Sequence, residues 1–274
     1  MDSMRNYARK VLNTVDPDHY VLNLRDYYFK DYWLRRLTNV VHVGANAGQE
    51  REKYATRDLG VLWIEPIPSV FEELKTNIKP YPKQIARRAL VTDQSGKMVS
   101  LNLASNGGES SSIFELADHK KIWPDIRFTG RIDILSQTLD DLLSMETRKY
   151  DGLVMDTQGS ELLILNGASV ALSGFKYIKT EAANFEMYKG AACENDLVSF
   201  LKPHGFHLLR RNVFAKKPDG SGEVSDLLFE RRSSTKKSTD TDLLILGGTD
   251  VAPTRTSTNP ATNVYGRGGY PASS

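Results

Sequence analysis

Two carboxylates and a glycine bend stand at the spacing a nucleoside site needs. Asn39 to Gly48 reads NVVHVGANAG. Val40, Val41 and Val43 make its first half a short, mostly β-branched apolar run that ends in a turn signal, the pattern of a buried strand. Gly44 and Gly48 can adopt positive φ and allow close backbone approach. A second apolar run, Val61 to Ile64, ends in Glu65, about twenty residues beyond the first glycine. A glycine bend under a ligand, with an acid on the next strand to grip a ribose diol, is the nucleotide site of a doubly wound sheet. GANAG lacks the third glycine with which the dinucleotide fingerprint wraps a pyrophosphate. S-adenosylmethionine, which has a ribose and no phosphate, suits it better. Candidate cofactor contacts are Val43, Gly44, Ala45, Asn46 and Gly48 at the bend, with Glu65 and Pro66 at the second strand end.

A second informative stretch is YDGLVMDTQGSELLILNGA, Tyr150 to Ala168. Gly152 to Met155 reads as a buried strand, Ser160 to Leu165 as a helix, and Gly167 as its C-cap. Ligands of open α/β sheets lie outside the carboxyl ends of strands, which makes Asp156 a candidate for both cofactor contact and catalysis. An N-cap or purely structural carboxylate is the alternative. Glu161, in the first helical turn, reads as a complement to the helix dipole. Glu181 ends another apolar stretch, Phe175 to Ala182, at the same rim. His119 has the ordinary pKa of a general base. Asp156, Glu181 or His119 would take a proton from an acceptor hydroxyl. Asp156 with Glu181 could instead hold Mg²⁺ through oxygens. The polar loop Asn106 to Ser112 brings hydroxyls, including Ser111, and Leu90 to Asp93 should flank an adenine by analogy with other nucleoside sites.

These residues need an α/β frame to position them. Helices are expected over Gln49 to Arg57, Ile67 to Ile78, and Asp196 to Leu201, with another starting after an N-cap at Thr138. Further strands are expected over Gln84 to Thr92, Met98 to Leu103 and Arg131 to Ser136. Phe206 to Phe214 and Asp226 to Arg231, separated by a Lys-Pro-Asp-Gly turn, read as a closing antiparallel hairpin at the sheet edge. Three segments result: an N-terminal helical extension over 1–38, a doubly wound α/β domain over 39–232, and a Ser/Thr/Gly/Pro-rich tail over 233–274 that reads as disordered. The aromatic, basic run Arg25 to Arg36 reads as an amphipathic helix capping the sheet, with a surface that stacks on bases or sugars as the alternative.

Composition bounds the rest. The 274 residues are 40% hydrophobic with a net charge of +2, so a substantial core is available and no polyanionic partner is implied. A single cysteine, Cys193, excludes an intrachain disulfide and fits a reducing compartment. No apolar run reaches membrane-spanning length, and MDSMRNYARK lacks the apolar core of a secretory signal. A cytoplasmic protein without membrane insertion is the expectation.

In order along the chain, VVHVGANAGQE, VLWIEPIPSVFEELKTNI, SSSIFE, ILSQTLDDLL, YDGLVMDTQGSELLILNGA, IKTEAANFEMYKG and FLKPHGF together resemble the FkbM family of S-adenosylmethionine-dependent methyltransferases. The resemblance covers roughly Val40 to Phe206. It implies a seven-stranded class I methyltransferase fold and O-methylation of a hydroxyl on a saccharide or natural-product-type small molecule. The family's DxQGxE segment falls on Asp156, Gln158, Gly159 and Glu161, and its TE pair on Thr180 and Glu181. The acceptor is what varies most among such enzymes. Two other functions fit the same fold. An RNA methyltransferase acting on a cap or ribose 2′-hydroxyl is disfavoured by the low net charge and by Lys179, which is misplaced for that class's tetrad. A non-catalytic binding module would keep the fold without turnover.

Overall fold

The computed structural model describes residues 31–231. The helices expected before Asp31 and the tail beyond residue 232 lie outside the described residues. In chain order the elements are β1 (Asn39–Val43), α1 (Arg51–Ala55), β2 (Gly60–Ile64), α2 (Pro68–Ile78), β3 (Gln84–Arg87), β4 (Leu90–Val91), β5 (Met98–Ala104) and α3 (His119–Ile122). There follow β6 (Phe128–Gln137), α4 (Leu139–Ser144), β7 (Gly152–Met155), α5 (Glu161–Asn166), β8 (Tyr177–Ala183), α6 (Glu194–Leu201), β9 (Phe206–Lys216) and β10 (Glu223–Arg231).

Seven strands form one sheet in the order β3-β2-β1-β7-β8-β10-β9. β1 lies between β2 and β7 and runs parallel to both. The chain builds outward on one side through β2 and β3, then crosses to the other side at β7. The β1/β7 border is therefore the switch point at which an open α/β sheet leaves a crevice. β10 returns antiparallel to β8, and β9 closes the edge against it, so the expected hairpin is present.

Both faces of the sheet are covered, which explains the near-continuous apolar strands. Val41, Val43, Leu62, Ile64, Leu153 and Met155 pack with Leu139, Ile164, Leu165 and Leu201 from the helices of one layer. Val40, Val61, Trp63 and Val154 pack with Tyr54, Leu74 and Ile78 on the other face. Trp33 and Leu34, in a 3-10 turn over Tyr32–Arg36, join that second layer. The described end of the aromatic stretch thus packs on the sheet, as a capping segment should.

Several boundaries differ from the sequence expectation. The expected third strand, Gln84 to Thr92, is broken: β3 stays in the main sheet, while β4 pairs with β6 in a separate three-stranded sheet with β5. Helix α1 is shorter than expected because Asp58 adopts a left-handed φ of 58° and ends the helical stretch early. Thr138 does cap α4, its side chain accepting from Asp141 N at 3.1 Å.

Gly167 follows α5, but its φ is −83°, so no left-handed cap demands a glycine there. A Cβ at Gly167 would instead overlap the carbonyl oxygen of Thr92. Gly167→Ala is expected to lower unfolding free energy by about 1–3 kcal/mol through overpacking. Urea denaturation measures this, and an unchanged midpoint would contradict the close approach.

Candidate active site

Three strand tips align because the register aligns them. Val43 pairs with Ile64 on one side and Met155 on the other, so Gly44, Glu65 and Asp156 leave the sheet in one row. Backbone bonds fix that row: Gly44 N and Ala45 N donate to Ile64 O at 3.0 and 3.1 Å, and Asp156 N donates to Val43 O at 3.0 Å. Gly44 has φ +79°, and a Cβ there would overlap the Asp156 carbonyl. The bend therefore needs glycine both for its backbone angle and for its distance from the neighbouring tip.

Above this row is a cavity of about 530 Å³. Val43, Gly44, Asn46, Glu65, Pro66, Leu90, Ser111 and Asp156 all line it, together with Ile67, Leu101, Ile113 and Thr157. Its lining is mostly apolar with a few convergent polar groups, the pattern of a small-molecule site. Leu90 and Leu101 come from the small second sheet, so the break in the third strand supplies one wall. Two candidates lie elsewhere. Ala45 borders a neighbouring cavity, and Gly48 faces α2, where an added Cβ would come within 2.7 Å of Leu74 Cδ1.

Glu65 is 4% exposed. Its Oε2 accepts from Asn46 N at 2.9 Å and its Oε1 from Ile67 N at 2.8 Å. Burial raises its pKa to about 7, against the pull of those two backbone donors. Asn46 holds a left-handed φ of 42°, which turns its N–H toward the carboxylate. One acid thus ties the glycine bend to the tip of β2.

A second, more open cavity of about 1190 Å³ adjoins the first. Gly44, Asn46, Glu109, Asp156 and Gln158 line both. His42, Glu50, His119, Trp123, Glu181 and Phe214 line the second and not the first. The structure thus brings the three proposed bases, Asp156, Glu181 and His119, to one cavity. They differ in state. Asp156 is exposed at the cavity wall; desolvation by the surrounding residues raises its pKa, while Gln158 and Lys179 lower it. Glu181 is pushed well up, first by burial and then by Asp156, Glu161 and Asp226. His119 is 1% exposed, with no partner on Nδ1, and burial lowers its pKa to about 4. It is a neutral imidazole at physiological pH, not the near-neutral titrating base its residue type suggested. Among the described residues no group of three or more His, Cys, Asp or Glu side chains is placed to hold a metal ion, so Mg²⁺ between Asp156 and Glu181 gains no support.

Glu161 does more than complement a helix dipole. Its buried carboxylate accepts from Thr157 N at 2.9 Å, Thr157 Oγ1 at 3.0 Å and Gly159 N at 3.0 Å. It therefore staples the loop that follows Asp156. The acid's place in the first helical turn was legible in the sequence, but the loop amides it accepts from were not. Tyr188, whose hydroxyl reaches Gln158 Oε1 at 2.6 Å, had no such signal, because its partner is thirty residues away.

A seven-stranded sheet with one antiparallel return strand, and a crevice over its parallel strand tips, is the class I methyltransferase fold. The chain belongs to the FkbM methyltransferase family: the family model described as Methyltransferase FkbM domain matches residues 42–208. A curated relative, 2-O-methyltransferase NoeI of Sinorhizobium fredii (strain NBRC 101917 / NGR234), is 24% identical over 160 residues, 55% of this chain. The chain spans 65% of that relative's length. Similar solved structures include magnesium protoporphyrin IX methyltransferase (ChlM) from Synechocystis PCC 6803 with bound SAM, at 13% identity and TM-score 0.42 over 78% of this chain and 79% of that one. Another is an S-adenosylmethionine-dependent methyltransferase from Clostridium acetobutylicum ATCC 824, at 10% identity and TM-score 0.43 over 85% of this chain and 98% of that one. Among the described residues no helix is long and apolar enough to cross a membrane.

Proposed function

We propose that the protein is an S-adenosylmethionine-dependent O-methyltransferase acting on a hydroxyl of a saccharide or natural-product-type small molecule. The observation that carries this reading is the meeting of two cavities at Asp156, one with a ribose-type acid at its wall and one open to a second ligand. Glu65 would accept from the ribose hydroxyls, the Gly44–Asn46 bend would lie under the adenosyl group, and Leu90 and Ile113 would contact its apolar surface. Bound there, the cofactor supplies an activated methyl group for in-line displacement.

The chain's own residues do the rest. Holding the acceptor oxygen in line with the methyl carbon can supply ~7–11 kcal/mol of the barrier. Asp156, where the cavities join, would accept the hydroxyl proton as the new O–C bond forms. Glu50, Glu109, Asp156 and Glu181 line the second cavity, and among the described residues its lining holds no lysine or arginine. This favours a neutral small acceptor over a phosphodiester chain, which needs cationic contacts. The 2-O-methyltransferase name of the curated relative supports oxygen as the acceptor atom.

Labelled S-adenosylmethionine incubated with the protein and a host extract, fractionated into glycan, lipid, RNA and protein, tests this. Label in a glycan or small-molecule fraction, lost with Asp156→Asn, is expected. Label confined to RNA, or absent despite cofactor binding by calorimetry, would reject it.

A further inference from the structure

We propose that Gln158 and Tyr188 are positioning residues that hold Asp156 as a hydrogen-bond acceptor facing the second cavity. This rests on the methyl-transfer reading for its purpose, but not for its geometry. Tyr188 Oη lies 2.6 Å from Gln158 Oε1, and Gln158 Nε2 donates to Asp156 Oδ1 at 2.6 Å. Tyr188 is fully buried, and its ring packs 5.3 Å from that of His119. Its hydroxyl keeps its proton, because burial and the nearby Glu181, Glu161 and Asp156 charges oppose ionisation. The hydroxyl therefore donates. That fixes the amide with its carbonyl toward Tyr188 and its NH₂ toward Asp156. The reversed amide would set a carbonyl oxygen against a carboxylate.

The backbone is arranged to hold this side chain. Gln158 has φ 55°, sparsely populated for a residue with a Cβ. Ser112 Oγ donates to its carbonyl at 2.7 Å, and Glu161 clamps the amides of Thr157 and Gly159 on either side. A strained residue pinned from several elements, with its side chain directed at the candidate base, has a use beyond closing a turn.

The surroundings of Asp156 explain why a neutral donor is needed. Glu50 ahead of α1, Glu161 on α5, Glu181 on β8 and Asp226 on β10 all bring negative charge, and Lys179 on β8 is the lysine that opposes them. His42 on β1 and His119 on α3 share its cavity, and burial keeps both neutral. Desolvation and then that field raise the Asp156 pKa, which disfavours the carboxylate a base requires. The Gln158 amide favours the unprotonated form without adding charge.

The test follows the Asp156 carboxyl by ¹³C NMR through a pH titration of the full-length, cofactor-free protein. Gln158→Met keeps length and removes the donor; Tyr188→Phe removes one hydroxyl and frees the amide to turn. The Asp156 midpoint is expected to rise by about one pH unit in Gln158→Met, and by less in Tyr188→Phe. With an acceptor in hand, the acid limb of the kcat/KM profile moves the same way, so that activity lost at low pH returns at high pH. A purely structural role would lower stability without moving either midpoint. An unmoved Asp156 midpoint in Gln158→Met overturns the proposal, whether or not Tyr188→Phe folds. A moved midpoint in a protein that methylates nothing supports the positioning and rejects the methyl-transfer reading instead.

Discussion

Asp156→Asn is expected to cut methyl transfer by on the order of 10²–10⁴-fold, the span that removal of a general base commonly costs. The substitution keeps the side-chain volume and removes the group that can take a proton. Binding of S-adenosylmethionine, measured by calorimetry, should persist, because Glu65 and the Gly44 bend remain. Turnover equal to that of the parent would remove Asp156 from the chemistry. The comparison with Glu181→Gln sharpens the assignment. Burial first, and then the charges of Asp156, Glu161 and Asp226, push the Glu181 pKa well up. That shift disfavours the carboxylate a base requires, so Glu181→Gln should cost less than Asp156→Asn. If Glu181→Gln were the more damaging change, the two roles would be exchanged.

What the sequence made legible was local. The strand-bend unit from Asn39 to Gly48 and the strand before Asp156 were readable because apolar runs and glycine turns are written in consecutive residues. The alignment of Glu65 with Gly44 was readable because a parallel βαβ unit fixes how far apart such residues fall. The split of the third strand was not. Gln84 to Thr92 is continuous in pattern, and only pairing of Leu90 and Val91 with Ser136 and Gln137, far along the chain, decides that they leave the main sheet. The state of His119 was hidden for the same reason. Its neutrality comes from burial beside Trp123 and Tyr188, partners that no spacing rule supplies. Glu161 lay between these cases: its position was plain, but the loop amides it holds depend on a left-handed Gln158.

The affinity for S-adenosylmethionine should rise with pH across neutrality and lose that dependence in Glu65→Gln. Glu65 titrates at about 7 because burial penalises its charge more than the Asn46 and Ile67 amides repay it. A ribose diol presents two O–H donors, and an ionised carboxylate accepts from both, whereas the protonated acid offers a donor of its own where an acceptor is wanted. Below the midpoint the group must first release its proton, so affinity falls by up to about tenfold per pH unit as pH drops. Above the midpoint the carboxylate is already ionised and affinity levels off. Folding responds with the opposite sign. Because the folded protein holds this proton more tightly than the unfolded chain does, the Glu65 contribution to stability falls as pH rises from the ordinary carboxylate range toward about 7. The ligand, by donating two hydroxyls to the carboxylate, would offset that cost and should raise the melting temperature most at alkaline pH. Glu65→Ala removes both hydrogen bonds to the diol and frees the Asn46 amide, for an expected loss of about 3–5 kcal/mol in binding. Calorimetry from pH 5.5 to about 8.5 checks the slope and its absence in Glu65→Gln. A flat profile in the parent protein would mean that the carboxylate at the tip of β2 does not meet the ribose.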